Sequence, residues 1–396
     1  MLIRSIEYSN SVSGLHVTKT TFDKLTLLVG ASGMGKTMIL KSLYKMIQCM
    51  ADHKLRGLDA WGDKFSTNAH FTMKFDIRPD VAPKRSFHSI GAGEPEEEIQ
   101  HCRWSFKTKP VGWTNSPISQ LSISEETLHI NGEEIFRRAD DEIVMAGFGK
   151  MPKISPDRSA LSIFKSEPNI IHVNEQLKQV FMFEAEPDLN NYLPASSLDS
   201  LKEYVAANYT WFVNDTTFNI LSKLAILYYV FPEIVDRVKE HYIRIFPTVQ
   251  DLRADIIGDF VMLEIREADR WIPQNEISYG MLKTLAHIVN IQILPLESVL
   301  LIDELENSLG VNCIDSVVDE IVSSRKDMQF IVTSHHPYII NNIPQSCWKI
   351  VKREDHVVTA HNAEDFDIGV SSQESFFQLM NALNYKESGG QENQTR

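Results

Sequence analysis

Cysteine is scarce in this sequence of 396 residues. The four cysteines are Cys49, Cys102, Cys313 and Cys347. None stands in a C-x-x-C pair, the spacing that is typical of zinc sites and redox motifs. Their wide separation is also unlike the disulfide framework of a small secreted domain. We therefore expect reduced cysteines in the core, and neither a zinc site nor a disulfide scaffold.

Long apolar runs are missing as well. The strongest candidate, residues 224–231, is far shorter than the roughly 18 apolar residues that a membrane-spanning helix needs. The first residues lack the basic segment and the apolar stretch of a secretory signal. Hydrophobic residues make up 43% and charged residues 23% of the chain, a balance that excludes a mainly disordered protein. The composition predicts a globular cytoplasmic protein of roughly two or three structural units, with no membrane partner.

Positive charge is in short supply, above all in the C-terminal part. The chain has 39 Lys and Arg against 53 Asp and Glu, and from Asp251 onward the counts are 11 and 23. Binding of nucleic acid regardless of sequence depends on basic side chains that neutralise phosphates. Between Lys41 and Pro110 basic residues outnumber acidic ones by 12 to 9, which is a small excess. A nucleic-acid partner therefore has little support in the composition.

Strand and helix patterns alternate at both ends of the chain. The apolar run 25–29 precedes a glycine-rich loop and an amphipathic helix over residues 38–51. After Asp251 the pattern predicts strands at 260–266, 298–302 and 329–332, and helices at 279–293 and 313–323. Such alternation predicts an α/β fold whose parallel sheet is covered by helices.

The middle of the chain has a less regular pattern. It predicts strands at 71–77 and 102–106, a hairpin at 127–136 around Asn131-Gly132, and helices within 197–246. Sustained heptads are absent, so long coiled-coil arms are not expected. The predicted organisation is an N-terminal lobe at 1–55, a β-rich then helical insertion at 56–250, a C-terminal lobe at 251–352, and an extension with a loose tail at 353–396.

The residues from Gly30 to Thr37 form the pattern G-x-x-x-x-G-K-T. Glycines let the backbone amides curl around phosphates, and the lysine reaches the β and γ oxygens. The threonine hydroxyl is a ligand for Mg²⁺, and the N-terminus of the following helix attracts the same anion. The pattern predicts a site for ATP and Mg²⁺. We expect contacts from Gly30, Ser32, Gly33, Gly35, Lys36 and Thr37.

Two carboxylates, Asp303 and Glu304, end an apolar strand. The first is placed to hold Mg²⁺ together with Thr37, and the second to orient or deprotonate the attacking water. Two weaker signals accompany them. Ser278-x-Gly280 opens a predicted helix 25 residues before Asp303, and His335 follows a buried strand. Taken alone, these two have ordinary interpretations as a helix cap and a structural histidine.

The order of these motifs carries a family resemblance. It includes Asp-Glu-Leu-Glu-Asn-Ser-Leu from residue 303 and Thr-Ser-His from residue 333. The chain resembles the ABC-type ATPase heads of the SMC and RecF class and, more narrowly, the OLD-like ATPases of bacterial anti-phage systems, including the Septu and PARIS ATPase subunits. The resemblance covers about residues 1–50 and 255–352. It implies an α/β P-loop NTPase, an ABC-ATPase-like head with a mixed sheet flanked by helices and an inserted α+β or helical subdomain.

The resemblance also implies roles for individual residues. Two heads would pair around two ATP molecules, with Ser278 and Gly280 of one head completing the site of the other. Lys36, Glu304 and His335 would be catalytic, with His335 sensing the γ-phosphate. Larger assemblies of paired heads are compatible with this arrangement. Because 61 residues follow His335, too few for the nuclease domain of full-length OLD proteins, a nuclease-type effector is expected as a separate protein.

Some positions depart from the family pattern. The signature reads Ser-Tyr-Gly-Met where relatives usually have Ser-Gly-Gly-Gln, and Gly310 stands where they often have His-Pro. No glutamine loop is assigned.

Four functions remain open from the sequence. The first is an ATP-hydrolysing sensor or scaffold in anti-phage defence, and the alternative is a RecF-like or SMC-like ATPase of DNA repair or chromosomes. A clamp that closes on ATP without hydrolysis is disfavoured, because it needs no water-activating carboxylate such as Glu304. A transporter subunit is disfavoured by the Asp-Glu-Leu-Glu-Asn stretch and the long insertion.

Overall fold

The computed structural model describes residues 1–48, 68–78, 99–111, 120–183, 192–215, 217–307, 309, 311–324 and 327–366. The strands are β1 (Leu2–Asn10), β2 (His16–Thr21), β3 (Leu25–Val29), β4 (Ala69–Ile77), β5 (Gln100–Val111), β6 (Gln120–Ile130), β7 (Glu133–Ala139), β8 (Glu142–Met145), β9 (Gly149–Met151), β10 (Val180–Phe183), β11 (Leu193–Pro194), β12 (Val249–Ile257), β13 (Phe260–Glu267), β14 (Arg270–Pro273), β15 (Val299–Ile302), β16 (Gln329–Ser334), β17 (Trp348–Glu354) and β18 (Val357–Asn362). The α-helices are α1 (Lys36–Gln48), α2 (Ala160–Ile163), α3 (Pro168–Leu177), α4 (Leu198–Ala207), α5 (Tyr209–Asn214), α6 (Ile220–Val230), α7 (Pro232–Ile245), α8 (Tyr279–Gln292), α9 (Val311–Asp319) and α10 (Pro337–Asn342).

The chain divides into two units. The first unit comprises Met1–Met182, Glu297–Asp303 and Asp327–Arg396, and the second comprises Phe183–Leu296 and Glu304–Lys326. Each unit is therefore built from segments that are separated in sequence. The predicted loose tail and Cys49 lie outside the described residues, and the other three cysteines are free thiols. None of the described helices is long and apolar enough to cross a membrane.

Parallel strands in the order β15-β16-β3-β17 lie near one end of a 14-stranded sheet in the first unit. β3 and β15 are nearly continuous apolar runs, β16 has three successive apolar residues, and nearly all side chains of the three strands are buried. This composition is typical of parallel strands that are covered on both faces. Ile302 pairs with Val332, and Ser334 pairs with Val29, so the three strands end beside one another. The predicted α/β fold is confirmed.

Antiparallel strands extend the same sheet in the order β2-β1-β4-β5-β6-β7-β8-β9. Buried and more exposed side chains alternate along most of β4, as expected for a sheet with one solvated face. The predicted hairpin is confirmed as β6 and β7. Its turn residues Asn131 and Gly132 have φ angles of 51° and 87°, as a type I′ turn requires. The β-rich part of the predicted insertion thus continues the sheet that carries the P-loop strand.

Aromatic and aliphatic side chains fill the buried side of this sheet. Successive rings of a row lie 4.9 Å apart between centroids: Tyr8, Phe71, Phe106 and Trp104. Helix α1 contributes Ile39, Leu40, Leu43, Met46 and Ile47 to the same cluster. Each such side chain stabilises the fold by about 1.5–3 kcal/mol when fully buried. The apolar face predicted for this helix therefore fixes the segment that directly follows the P-loop.

The second unit combines helices with a small antiparallel sheet. Helices α4 to α8 confirm the helical composition predicted for residues 197–246 and the helix predicted for 279–293. β11, β13 and β12 pair in that order, and β14 adds to β13. β12 has no counterpart among the predicted strands, because charged residues such as Asp251, Arg253 and Asp255 mask its alternation. The helix predicted at 313–323 is α9 followed by a π-helical turn, Glu320–Ser324.

A buried histidine on α8 links the stability of the second unit to pH. The side chain of His287 is 3% exposed, and its ring stacks on Phe183 with a centroid distance of 4.3 Å. Burial, and secondarily the nearby charge of Lys283, lowers the pKa of His287 to about 3. The pKa of an unfolded histidine is about 6.5. Between that pH and about pH 3, the unfolded chain binds a proton at His287 and the folded chain does not.

We expect the free energy of unfolding to fall as the pH is lowered from about 6.5 toward 3, with a contribution from His287 of up to about 1.4 kcal/mol per pH unit. His287→Phe keeps an aromatic ring and should flatten this slope in chemical denaturation between pH 6.5 and 4. His172→Gln, a change at an exposed histidine, serves as the control and should retain it. Equal slopes in His287→Phe and the parent protein would contradict the assignment.

Candidate nucleotide-binding site

The glycine-rich loop connects β3 to α1 and is shaped by close backbone contacts. Gly33 and Gly35 have φ angles of 83° and 96°, in the region that glycine adopts without strain. A Cβ on Gly35 would lie 2.7 Å from Cγ2 of Val358, and a Cβ on Gly30 would lie 2.7 Å from the carbonyl oxygen of Val351. The loop is therefore seated directly against β17 and β18.

The side chain of Lys36 packs against this loop, and the opposite side of the loop is exposed. Nζ of Lys36 donates hydrogen bonds to the carbonyl oxygens of Gly30 and Ala31, at 2.7 and 3.0 Å. The ammonium is thus held over the loop itself. Ser32 and Gly33 are exposed, and a Cβ on Gly33 would meet no atom within 4 Å. Open space at the outer side of the loop and a cation at its base suit a phosphate chain.

A carboxylate joins the loop to the neighbouring strands. Oδ1 of Asp303 accepts hydrogen bonds from Oγ1 of Thr37 at 3.0 Å and from Oγ1 of Thr333 at 2.7 Å. This contact follows from the topology, because β3, β16 and β15 are parallel neighbours whose carboxyl ends meet at one edge. Thr333 is a site residue that sequence reasoning missed. The sequence indicates this residue only through its hydroxyl near the end of β16, the strand that lies between β3 and β15.

The two remaining residues predicted near the γ-phosphate follow β15 and β16. His335 is exposed and comes directly after β16, at the edge where β3 ends. Glu304 comes directly after Asp303 and is exposed, and its φ of 52° is rare for a residue other than glycine. Such backbone conformations are concentrated at functional sites, so this outlier supports a functional role for Glu304.

The signature residues begin α8 in the second unit. Ser278 is the N-cap, with extended backbone at φ −60° and ψ 144°, and its Oγ accepts a hydrogen bond from the amide of Met281 at 3.3 Å. Ser278 is exposed, and a Cβ on Gly280 would meet nothing within 4 Å. The start of α8 is therefore open at Ser278 and Gly280, and the positive end of the helix dipole lies there.

The residues at the end of β3 fit the nucleotide and metal that the sequence predicts. Hydroxyl and carboxylate oxygens are the ligands that Mg²⁺ takes from proteins, and Thr37 and Asp303 present one of each within 3.0 Å. Among the described residues no group of three His, Cys, Asp or Glu side chains could hold a metal ion. Mg²⁺ bound to ATP needs no such group, because phosphates and water complete its coordination.

Val358 provides a test of how the loop is seated. Gly33→Ala and Gly35→Ala both place a side chain in left-handed backbone, at a cost of roughly 1–2 kcal/mol. Gly35→Ala should cost about 1–3 kcal/mol more in free energy of unfolding, because its methyl group collides with Val358. In the double variant Gly35→Ala/Val358→Ala part of this loss should be recovered, measured as a coupling energy in denaturant titrations. Strictly additive effects would show that the predicted collision does not occur.

A comparison with protein families matches part of the chain. Residues 150–341 match the family described as "AAA domain, putative AbiEii toxin, Type IV TA system". This range includes the signature, Asp303-Glu304 and His335, and excludes the glycine-rich loop. No curated protein matches the sequence significantly.

Solved structures similar to this chain include SMC head domains. The Smc head domain with an extended coiled coil, bound to the C-terminal domain of ScpA and derived from Pyrococcus furiosus, is 14% identical, with a TM-score of 0.50 over 96% of this chain and 99% of that chain. An SmcHead bound to the C-winged helix domain of ScpA is 15% identical, with a TM-score of 0.49 and coverages of 91% and 97%. The SMC head domain from Thermotoga maritima is 12% identical, with a TM-score of 0.44 and coverages of 91% and 99%. The chain thus has an α/β P-loop ATPase fold similar to that of SMC head domains, and its family match is to an AAA domain.

Proposed function

We propose that this protein binds and hydrolyses ATP as a pair of heads. The observation that carries the proposal is the contact of Thr37 with Asp303 beside the glycine-rich loop. A hydroxyl that follows the loop lysine and a carboxylate from a neighbouring strand are the two protein groups that P-loop enzymes use at Mg²⁺. Binding of Mg²⁺ with a nucleotide explains why the Thr37 hydroxyl and the Asp303 carboxylate meet at the first turn of a helix.

Phosphate binding is assigned to the loop and to Lys36. Amides of the loop, including those at Gly30, Ser32, Gly33 and Gly35, face the phosphates, and the ammonium of Lys36 moves from the loop carbonyls to the β and γ oxygens. Thr37 and Asp303 hold Mg²⁺, which neutralises charge on the β and γ phosphates. The positive end of α1 adds to the same attraction.

Hydrolysis is assigned to Glu304. Its carboxylate accepts a proton from the attacking water, whose oxygen bonds to the γ-phosphorus as the bond from that phosphorus to the β–γ bridging oxygen breaks. His335 contacts the γ-phosphate and reports its presence to the end of β16. The products are ADP and inorganic phosphate.

Pairing places the open start of α8 against the nucleotide of a second copy. Ser278 and Gly280 donate hydrogen bonds to the γ-phosphate that the partner holds, and ATP is thereby buried between two heads. Support comes from the exposure of this helix end and from the likeness in fold to SMC heads. The segment around Asn307 and Leu309 crosses the dimer interface.

The biological role that we propose is a cytoplasmic sensor or scaffold in anti-phage defence. Paired heads would hold a separate nuclease-type effector and release or activate it when the nucleotide state changes. The matching family has a description that names a toxin of a type IV toxin–antitoxin system. This description is compatible with a protein that controls a harmful effector. The acidic C-terminal part, with 11 basic and 23 acidic residues after position 250, favours a basic partner protein over nucleic acid.

Glu304→Gln tests the mechanism. The variant should bind ATP and Mg²⁺ with unchanged affinity and hydrolyse ATP at least ~100-fold more slowly, because the proton acceptor is lost. Light scattering should then detect a stable ATP-dependent doubling of its mass. Phosphate release at the parent rate would show that another residue activates the water.

Two further variants serve as controls for this measurement. Lys36→Ala should neither bind ATP nor pair. Ser278→Arg in the Glu304→Gln background should bind ATP as a monomer without pairing, because the side chain blocks the start of α8. A doubling of mass in Ser278→Arg equal to that of its parent would contradict the shared site. Proteins and nucleic acid that copurify with Glu304→Gln identify the class of partner.

A second candidate function, nucleic-acid binding, is favoured by one specific feature of the antiparallel sheet. Lys74 on β4 pairs directly with Arg103 on β5, and Arg103 pairs with His129 on β6. Like charges opposite each other destabilise a sheet, and neither Lys74 nor Arg103 has a carboxylate partner among the described residues. An anion such as a phosphate backbone would relieve this repulsion. The neighbouring Lys107 is neutralised by Glu125 at 2.8 Å.

Lys74→Glu/Arg103→Glu tests the second candidate. If this face binds nucleic acid, the double variant should weaken binding of a labelled DNA duplex at least ~10-fold at low salt and reduce its salt dependence. Lys150→Glu/Lys153→Glu changes the net charge equally at exposed lysines and should have little effect. Equal binding by both double variants and the parent, or no binding by the parent, would exclude this candidate.

A further inference from the structure

Helix α8 carries a buried lysine that the proposed mechanism does not use. Lys283 is 1% exposed, and among the described residues its Nζ has no hydrogen-bond partner. A buried ammonium without hydrogen bonds is costly, and lysine is among the residues that are least often fully buried without a partner. Unsatisfied groups of this kind are rare enough that each calls for a physical explanation.

The surroundings of Lys283 supply one weak contact. Its Nζ lies 4.9 Å from the centroid of the Tyr279 ring, which is within the range of a cation–π interaction. One turn farther along α8, His287 has its pKa lowered to about 3 by burial and by Lys283, and is therefore neutral at neutral pH. The ammonium thus faces an aromatic ring and an uncharged histidine. Neither can match what a charged hydrogen-bond acceptor would offer.

The ring that covers this ammonium lies at the open end of the helix. Tyr279 is the first residue of α8 and is 52% exposed. The residues on either side of it, Ser278 and Gly280, are the ones that leave the helix start accessible. The Lys283 ammonium therefore lies beside an exposed ring at the end of the helix where the helix dipole favours an anion.

We propose that Lys283 is a concealed phosphate ligand, uncovered when the γ-phosphate of ATP held by a second copy of this chain displaces the Tyr279 ring. This inference rests on the pairing of heads under the proposed function. The ammonium then forms a charge-assisted hydrogen bond with the phosphate, in exchange for its contact with the ring. ADP has no γ-phosphate, so the ring stays over the lysine and the pair is not held. Direct contact of Lys283 with the γ-phosphate thereby makes pairing depend on ATP.

The test is performed on Glu304→Gln, in which ATP persists. Lys283→Met in this background replaces the ammonium with an apolar chain of similar length. ATP binding by the monomer should stay within about twofold, because the nucleotide of each monomer lies at its own loop. The protein concentration at which half of the heads are paired should rise at least ~10-fold in light scattering, the effect of one lost charge-assisted contact. Lys283→Arg should retain pairing, because the charge is kept.

A matched control substitutes a different lysine that also lies beside an aromatic ring. Nζ of Lys202 lies 4.7 Å from the centroid of the Tyr229 ring, and its side chain already pairs with Asp199 at the surface. Lys202→Met should leave pairing unchanged. Thermal unfolding of each variant shows whether the fold is intact, and a buried methionine is expected to preserve it.

A spectroscopic readout follows the ring itself. Tyr279→Trp in the Glu304→Gln background places an indole over Lys283. The fluorescence of this indole, obtained by subtracting the emission of Glu304→Gln, should change with ATP and Mg²⁺ and not with ADP. If Glu304→Gln fails to pair at all, the proposed function is wrong. If Glu304→Gln pairs and Lys283→Met pairs equally well, the shared site stands and the role of Lys283 is overturned. An unchanged indole signal on pairing would likewise overturn the displacement of the ring, even if Lys283→Met does not fold.

Discussion

The candidate site depends on one constraint, the parallel pairing of β3, β16 and β15. Parallel neighbours end at the same edge of a sheet, so the glycine-rich loop and Asp303 meet although more than 260 residues separate them in the chain. Thr333 at the end of the middle strand completes this contact by donating to the same carboxylate oxygen. The three strands are buried on both faces, which leaves their carboxyl ends as the place where polar groups meet.

The shape of the loop depends on strands that follow the site in sequence. Val351 on β17 and Val358 on β18 stand where a side chain at Gly30 or Gly35 would need to be. Tight packing of this kind holds the backbone amides in a fixed direction, since protein interiors leave little room for adjustment. The glycine-rich loop is thus preorganised by residues that carry no binding motif themselves.

Three polar residues of the second unit lie in the first turns of helix α8. Ser278 caps α8, Lys283 lies one turn inside it, and His287 follows on the same face. Burial is the main cause of the low pKa of His287, and the charge of the Lys283 ammonium lowers this pKa further. The arrangement concentrates a single positive charge behind Tyr279, at the end of the helix that attracts anions.

The sequence by itself determined the α/β class, the P-loop pattern, the order of the motifs and the strands and helices that carry these motifs, because apolar periodicity and glycine spacing are local properties. It did not predict β12, whose charged residues hide the alternation, or the continuation of the P-loop sheet through the antiparallel strands. The contact of Thr333 with Asp303, the packing of Val358 against Gly35 and the covering of Lys283 by Tyr279 were decided only by the tertiary structure. In the first two cases the partners lie far apart in sequence, and in the third the decisive quantity is burial, which a single sequence does not contain.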